Sequence, residues 1–258
     1  MGIIKSSTAG HQQLFFFEKD QPFERARSLF AQYNAAQPFP HIVIDDFLSV
    51  DFIERIVANF PAKEHSSVLR TNANAYLKRG YRPDDLDSSV CRHDLYMFNT
   101  GPMLQWLEHL TGIHGLIPDP YFTGGGFHEI DRGGRLNVHT DFNLYARLNL
   151  IRRLNLLLYL NKDWQPEYGG NLELWNADLT ACVKSIEPLY NRCVVFNTDK
   201  RSFHGHPDPL NCPDTRTRRS IAIYYYSAPV TAIPSTSEVN EKTDYKVRPG
   251  SSDGLVPR

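Results

Sequence analysis

The sequence predicts an α+β fold, in which helices from the first part of the chain support an antiparallel sandwich or barrel of the jelly-roll type. Segments with helical spacing come first, up to residue 115. From residue 120 onward, short runs rich in β-branched, leucine and aromatic side chains alternate with Gly, Asn, Asp and Pro. These runs recur at roughly ten-residue intervals, which is typical of antiparallel sandwiches and barrels. Helices first and strands second indicate the α+β class.

Three helices are expected before the strands. QPFERARSLFAQYNAA has apolar residues at helical spacing and a proline near its start. SVDFIERIVANFP has Ser49 as a candidate N-cap and Pro61 as its stop, and GPMLQWLEHLTGIHG would end at Gly115. PFPHIVIDDFL predicts a short strand between the first two helices. Residues 62–94 are polar, with Gly and Pro, and predict a long loop.

The strand segments follow one another as YFTGGGFHEI, GGRLNVHTDFN, RRLNLLLYLNKDW, GGNLELWN, ACVKSIEP, NRCVVFNT and RRSIAIYYYS. We therefore expect a single domain over residues 1–250, with helical support at 1–115 and a jelly-roll core at 120–228. Residues 251–258 end in LVPR, and we interpret them as the remnant of a cleavable tag.

The composition argues against several classes of protein. The chain has 258 residues, 41% of them hydrophobic, which is enough for one domain with a substantial core. A formal net charge of −1, without a basic stripe interleaved with aromatics, argues against nucleic-acid binding. No apolar run reaches the roughly 18 residues of a membrane span, and we find no signal-peptide pattern. The four cysteines form no C-x-x-C pair, which is typical of reduced thiols in a cytoplasmic protein.

Side chains that can bind a metal interrupt the strand segments. His139 and Asp141 stand two residues apart in NVHTDFN, so on a strand they project from the same face. His204 and His206 lie in SFHGHP, and both would share one face of an extended segment. Two histidines and a carboxylate are the ligands of the triad that holds non-haem Fe(II) with three positions open. The spacing leaves open which downstream histidine would join the pair.

The order of these motifs resembles the 2-oxoglutarate and Fe(II)-dependent oxygenases, and among them the prolyl-4-hydroxylase-like group. The resemblance covers about residues 38–228 and rests on HTD, LLLYLNKDW followed by GGNLELW, VVFNTDKRSFHGHP and RTRRSIAIYYYS. It implies a double-stranded β-helix, a cupin-like jelly-roll barrel, with iron in its mouth. It also implies Fe(II), 2-oxoglutarate and O2 as metal and co-substrates, with ascorbate as an optional reductant.

The resemblance assigns the metal ligands as His139, Asp141 and His204. His204 is favoured over His206 because the family pattern places an aromatic residue or proline before the ligand and a small or polar residue after it. Phe203 and Gly205 match that pattern.

The resemblance also assigns residues to 2-oxoglutarate. Arg218 would bind the far carboxylate through two parallel hydrogen bonds, with Ser220 pointing the same way. Tyr159 matches a family tyrosine that donates its hydroxyl to the same carboxylate. Asn155 shares a strand face with Tyr159, and we expect it to face the pocket as well.

The implied reaction is hydroxylation of an unactivated C–H bond, in a prolyl residue of a peptide or protein. The alternative is the same chemistry on a free amino acid or a small biosynthetic metabolite. It stays open because His128 and Glu129 stand where peptidyl-proline hydroxylases often carry a tyrosine. A non-catalytic cupin-like barrel that binds a metal or sugar is a third reading, against which the carboxylate-binding Arg218 argues. The sequence leaves the oligomeric state and the substrate undetermined.

Overall fold

The α-helices precede the long strands along the chain, as the sequence predicted. The computed structural model describes residues 21–66, 68–229, 240–251 and 253. The helices are α1 (Gln21–Ala35), α2 (Val50–Ala58), α3 (Ser89–Met97) and α4 (Gly101–Thr111), and single 3-10 turns span Lys63–His65, Pro83–Asp85 and Pro166–Tyr168. The predicted helical support at residues 1–20 lies outside the described residues, as does most of the presumed tag remnant.

The strands form one curled antiparallel sheet. They are β1 (His41–Ile44), β2 (Val68–Thr71), β3 (Ala75–Tyr81), β4 (Ile117–Pro118), β5 (Gly126–Thr140), β6 (Leu144–Tyr145), β7 (Leu150–Tyr159), β8 (Leu172–Trp175), β9 (Cys182–Ile186), β10 (Cys193–Asn197), β11 (His204–His206), β12 (Arg218–Ser227) and β13 (Asp244–Tyr245). The main path runs β1-β10-β7-β12-β5-β11-β8-β9, with the remaining strands paired at its sides. This curled half-barrel with supporting helices confirms the predicted jelly-roll α+β class.

The two central strands β7 and β12 are buried on both faces, which explains their nearly continuous apolar sequences. On one face, Leu156 lies opposite Ile223 and both pack into the core that contains Trp106 of α4. On the other face, Asn155 and Ser220 line a cavity. Side chains alternate between the faces, so the same strands anchor the helices and shape the candidate site.

Residues 62–94 are not the long loop that the sequence predicted. They contain the β2–β3 hairpin and the start of α3. Asn72 closes the hairpin by accepting hydrogen bonds from the backbone amides of Asn74 and Ala75. All four side chains of β2 are exposed, so the strand carries no alternation of apolar and polar residues. The strand forms because it pairs with β3, and its own sequence does not predict it.

Two predicted boundaries also differ. Helix α4 ends at Thr111, because Gly112 adopts a left-handed conformation with φ of 73° and its amide bonds back to Glu108. The expected end at Gly115 is therefore wrong by one turn. The segments YFTGGGFHEI and GGRLNVHTDFN form one strand, β5, because pairing with β3 continues on both sides of Gly133.

The sheet extends beyond the predicted jelly-roll core. β1, β2 and β3 come from the region expected to supply helical support, and β13 lies past residue 228. β13 pairs with the end of β5, where Tyr245 lies opposite His139. Within the described part of the chain, every helix is too short or too polar to cross a membrane.

Replacing Gly126 with alanine should destabilise the protein. Gly126 has φ of 108°, and a Cβ there would overlap the carbonyl oxygen of Tyr81 on the neighbouring strand β3. We expect the free energy of unfolding to fall by about 2–3 kcal/mol in a denaturant titration. Gly101→Ala is the control, since a Cβ at that position meets open space. The free energy of unfolding of this control should change by no more than about 0.5 kcal/mol. An equal loss of unfolding free energy in both variants would contradict the steric explanation.

Candidate metal centre

Three side chains that can bind a metal converge at one end of the barrel. His139 lies near the end of β5, Asp141 follows that strand, and His204 begins β11 directly opposite His139. The Nε2 atom of His139 lies 3.7 Å from Oδ1 of Asp141, and Nε2 of His204 lies 3.4 Å from Oδ2. One ligand atom from each residue lies within 4.8 Å of the others, and all three residues are buried. This spacing suits a single ion bound from one side.

Both imidazoles are held in an orientation suited to metal binding. Nδ1 of His139 lies 2.8 Å from the carbonyl oxygen of Asn137, and Nδ1 of His204 lies 2.9 Å from that of Ser202. A carbonyl oxygen only accepts, so each Nδ1 carries a proton, and each Nε2 is the ring nitrogen that faces the Asp141 carboxylate. Burial and the neighbouring His204 lower the pKa of His139 to about 3, so its ring is neutral.

The carboxylate of Asp141 is fixed by two donors from β7. Arg152 donates from Nη2 to Oδ2 at 3.0 Å, and Asn155 donates from Nδ2 to the same oxygen at 2.7 Å. The amide oxygen of Asn155 in turn accepts from Nε of Arg152 at 2.9 Å. Burial alone would raise the pKa of Asp141, but the Arg152 guanidinium and His204 hold it well below its usual range. The carboxylate is therefore charged and can act as a ligand.

Asn155 lines the cavity, as expected, and its amide contacts Asp141 and Arg152. Its assignment to 2-oxoglutarate binding stays a prediction, while these contacts support a role in positioning the carboxylate ligand.

Sequence reasoning missed Arg152. Strict alternation from Asn155 places Arg153, not Arg152, on the cavity face of β7. A register shift opposite Tyr225 and Tyr226 exchanges them, so that Arg152 turns inward and is only 1% exposed. Arg153 instead donates to the hydroxyl of Ser227. The sequence shows only two adjacent arginines and does not indicate which of them faces the cavity.

Arg218 lies at the start of β12 with its guanidinium buried in the cavity wall. Its Nε donates to the carbonyl oxygen of Gly170 at 2.7 Å, and Nη2 donates to the Tyr159 hydroxyl at 3.3 Å. No carboxylate of the described residues forms a salt bridge with it, and burial lowers its pKa from the usual arginine value. A buried guanidinium without an anion is a ready binding site for one.

Ser220 and Tyr159 lie beside Arg218, as the sequence predicted for their strands. They face each other across β12 and β7, and both are buried. Ser220 lines the cavity directly. Tyr159 reaches the cavity through its hydroxyl contact with Arg218. Their binding of a co-substrate remains a prediction.

His204, and not His206, lies within ligand distance of His139 and Asp141. His206 is 4% exposed, lines the same cavity, and has no hydrogen-bond partner for either ring nitrogen among the described residues. A bulge between the two histidines shifts the pairing of β11 with β5.

Tyr245 from β13 also packs on His139, with ring centroids 5.2 Å apart. Tyr245 lies far from His139 along the chain, so the sequence did not predict this contact.

Comparison with known proteins agrees with this geometry. The model of the 2OG-Fe(II) oxygenase superfamily matches residues 125–226, which include the three candidate ligands and Arg218. Mouse prolyl 3-hydroxylase OGFOD1 is 32% identical over an alignment of 211 residues that covers 78% of this chain. The chain spans about a third of that relative, 35% of its length.

Two solved structures share the fold. A Pseudomonas putida prolyl-4-hydroxylase superimposes with a TM-score of 0.55 and 19% identity, covering 79% of this chain and 99% of that chain. A Trichoplax adhaerens prolyl hydroxylase, in complex with a hypoxia inducible factor peptide fragment, has a TM-score of 0.54 and 18% identity. That match covers 80% of this chain and 91% of the other. Both confirm the jelly-roll barrel.

Replacing Arg152 with methionine should weaken metal binding. The change leaves Asp141 with one donor fewer and removes the charge that keeps it ionised. We expect the affinity for Mn²⁺, measured by titration with electron paramagnetic resonance of the free ion, to fall about 10- to 100-fold. Arg153→Met is the matched control on the opposite face and should bind Mn²⁺ like the unmodified chain. Equal affinity in both variants would contradict a positioning role for Arg152.

Proposed function

We propose that this chain, which belongs to the 2OG-Fe(II) oxygenase superfamily, is an Fe(II)- and 2-oxoglutarate-dependent hydroxylase acting on a prolyl residue of a peptide or protein. One observation carries the proposal. The His139, Asp141 and His204 donors converge on one side of a cavity whose wall also holds the unpaired guanidinium of Arg218. A metal-binding group and an anion-binding group in one cavity suit a metal that shares its site with a keto acid.

The donor set fits ferrous iron. Two neutral imidazoles and one carboxylate form the triad that non-haem iron oxygenases use, whereas a thiolate-rich set would favour zinc. Both imidazoles turn Nε2 toward the other ligands because Nδ1 is held by a carbonyl oxygen, and Asp141 is ionised. When bound, ferrous iron and 2-oxoglutarate supply the oxidising chemistry, in which O2 is consumed and 2-oxoglutarate becomes succinate and CO2.

The chain's own residues orient the reactants. Arg218 would bind the far carboxylate of 2-oxoglutarate, and the Tyr159 hydroxyl and Ser220 would complete that end of the pocket. Arg152 and Asn155 keep the Asp141 carboxylate in place. Precise placement of the target carbon decides which C–H bond is oxidised. Ascorbate would serve only to keep the iron reduced.

The prolyl substrate is supported by a relative whose sequence matches most of this chain, the mouse prolyl 3-hydroxylase OGFOD1. A second candidate keeps the chemistry and changes the substrate to a free amino acid or a small biosynthetic metabolite. His128 favours it, since this imidazole lines the cavity where related peptide hydroxylases often carry a tyrosine. Assays with capped proline peptides and with free amino acids separate the two.

The remaining parts of the proposal concern the setting of the enzyme. A cytoplasmic location is supported by the four cysteines, all of which are free thiols. The proposed domain covers residues 1–250, with residues 251–258 as a tag remnant. The partner is a peptide, protein or small-molecule substrate, with no role for nucleic acid or membrane.

Replacing Asp141 with alanine should abolish conversion of 2-oxoglutarate to succinate. The variant loses the only carboxylate of the candidate triad, and the two imidazoles alone hold iron weakly. We expect at least about a hundredfold loss of turnover, followed by mass spectrometry of succinate in the presence of Fe(II) and O2. Asp214→Ala is the control, since that side chain is 90% exposed. Undiminished turnover in the Asp141 variant would refute the proposed function.

Replacing Arg218 should raise the KM for 2-oxoglutarate. Arg218→Met removes the buried cation and should raise KM at least about tenfold, the cost of leaving a carboxylate unpaired in a buried site. Arg218→Lys keeps the positive charge but loses the two parallel hydrogen bonds of the guanidinium. Its KM should lie between those of the unmodified chain and Arg218→Met. Arg216→Met, on the neighbouring turn, is the control. If KM is the same in all four proteins, Arg218 does not bind this co-substrate.

A further inference from the structure

A second cavity adjoins the metal-site cavity. The two share Arg70, Lys78, Gly124 and His128 as lining residues, so the space beside the candidate metal centre continues outward along the β2–β3 hairpin. Arg147 lines the outer cavity as well, with its guanidinium 4.1 Å from the ring centroid of Tyr121. A substrate that reaches the metal centre by this route passes the hairpin.

The inward face of the hairpin places two cations directly opposite each other. Arg70 on β2 pairs in register with Lys78 on β3, and both line the two cavities. Like charges at opposed positions of neighbouring strands destabilise a sheet. The arrangement therefore costs stability unless an anion lies between the two side chains.

Arg79 and Arg82 of the outer cavity have acidic partners, whereas Arg70 and Lys78 have none among the described residues. Arg79 forms a salt bridge with Asp131, and Arg82 with Asp85. No carboxylate within residues 21–66, 68–229, 240–251 and 253 forms a salt bridge with Arg70 or Lys78. The chain as a whole has a formal net charge of −1, so the excess of positive charge is local to this hairpin.

The electrostatics of Lys78 agree with an anion-binding role. Its side chain is half-buried beside the metal-site cavity. Burial, and after it the Arg70 guanidinium, lower the pKa of Lys78 to about 8. An anion held between the two side chains would oppose both effects and favour the charged ammonium.

We infer that Arg70 and Lys78 bind the carboxylate of an aspartate or glutamate side chain that flanks the target residue in a peptide substrate. This inference rests on the proposed function and names the substrate class of the same site. The far carboxylate of 2-oxoglutarate is a poorer candidate, because Arg218 already offers it a buried guanidinium.

The surroundings of the pair suit an extended peptide. β2 is hydrogen-bonded to β3 alone among the described strands, so its outer edge presents backbone donors and acceptors. Val68 and Tyr121, which line the outer cavity, are 41% and 45% exposed. Unpaired backbone groups and apolar side chains beside two cations match a peptide with an acidic residue better than a free ion.

The test is a binding selection with the full chain loaded with Mn²⁺ and 2-oxoglutarate without oxygen. The probe is a pool of capped heptapeptides with a central proline and flanking positions drawn from Ala, Gln, Glu and Lys. Peptides retained on ultrafiltration are quantified by mass spectrometry. We expect glutamate peptides to be enriched about fivefold over their glutamine counterparts, with the enrichment lost at high salt.

Charge-reversing variants decide whether the hairpin is responsible. Arg70→Glu and Lys78→Glu should lose the preference for glutamate and gain one for lysine peptides, whereas Arg92→Glu, an exposed change on α3, should keep it. The milder Arg70→Gln should lose the preference without reversing it. Absence of glutamate enrichment, or the same enrichment in all variants, overturns the inference.

A parallel measurement separates this inference from the proposed function. Conversion of 2-oxoglutarate to succinate is followed in each variant with Fe(II) and O2, both without peptide and with the peptide pool. Turnover without glutamate enrichment overturns the inference and leaves the oxygenase intact. Enrichment that depends on Arg70 and Lys78 without turnover supports the peptide site and overturns the proposed function.

Discussion

A buried carboxylate, Asp141, is the constraint on which the rest of the site depends. A charge removed from water is stable only when opposite charge and hydrogen bonds compensate for the lost solvation. Arg152 and Asn155 provide both, and they come from β7, the strand whose other face packs against the helices. The position of the carboxylate is thus tied to the core of the protein. A rigid strand, rather than a loop, supports the centre.

The sequence predicted those parts of the molecule in which buried or functional side chains recur at the regular spacing of a strand or helix. Strands buried on one or both faces are visible in the composition, and a two-residue spacing was enough to place His139 and Asp141 together. The fold class and the convergence of the two residues with His204 followed from these patterns and from a family resemblance. The end of helix α4 was misplaced by only a turn, since Gly112 and Gly115 both offered a stop.

The features that escaped prediction depend on contacts between distant segments. A register shift, or β-bulge, in β7 turns Arg152 inward in place of Arg153. The local sequence pattern does not predict this bulge. The β2–β3 hairpin has exposed side chains on β2, so its strands form through pairing and not through burial of an apolar face. Tyr245 reaches His139 from a segment more than a hundred residues further along the chain. In each case tertiary structure overrides what the local sequence indicates.

The carbonyl oxygens that hold both imidazoles by Nδ1 have a consequence for metal selectivity. Both rings are already oriented with Nε2 toward the other ligands, so little rearrangement accompanies metal binding. A rigid set of two nitrogens and one oxygen does not single out iron, since cobalt, nickel and copper bind such donors more tightly. Which metal occupies the chain therefore depends on the relative supply of ions in the compartment where it folds.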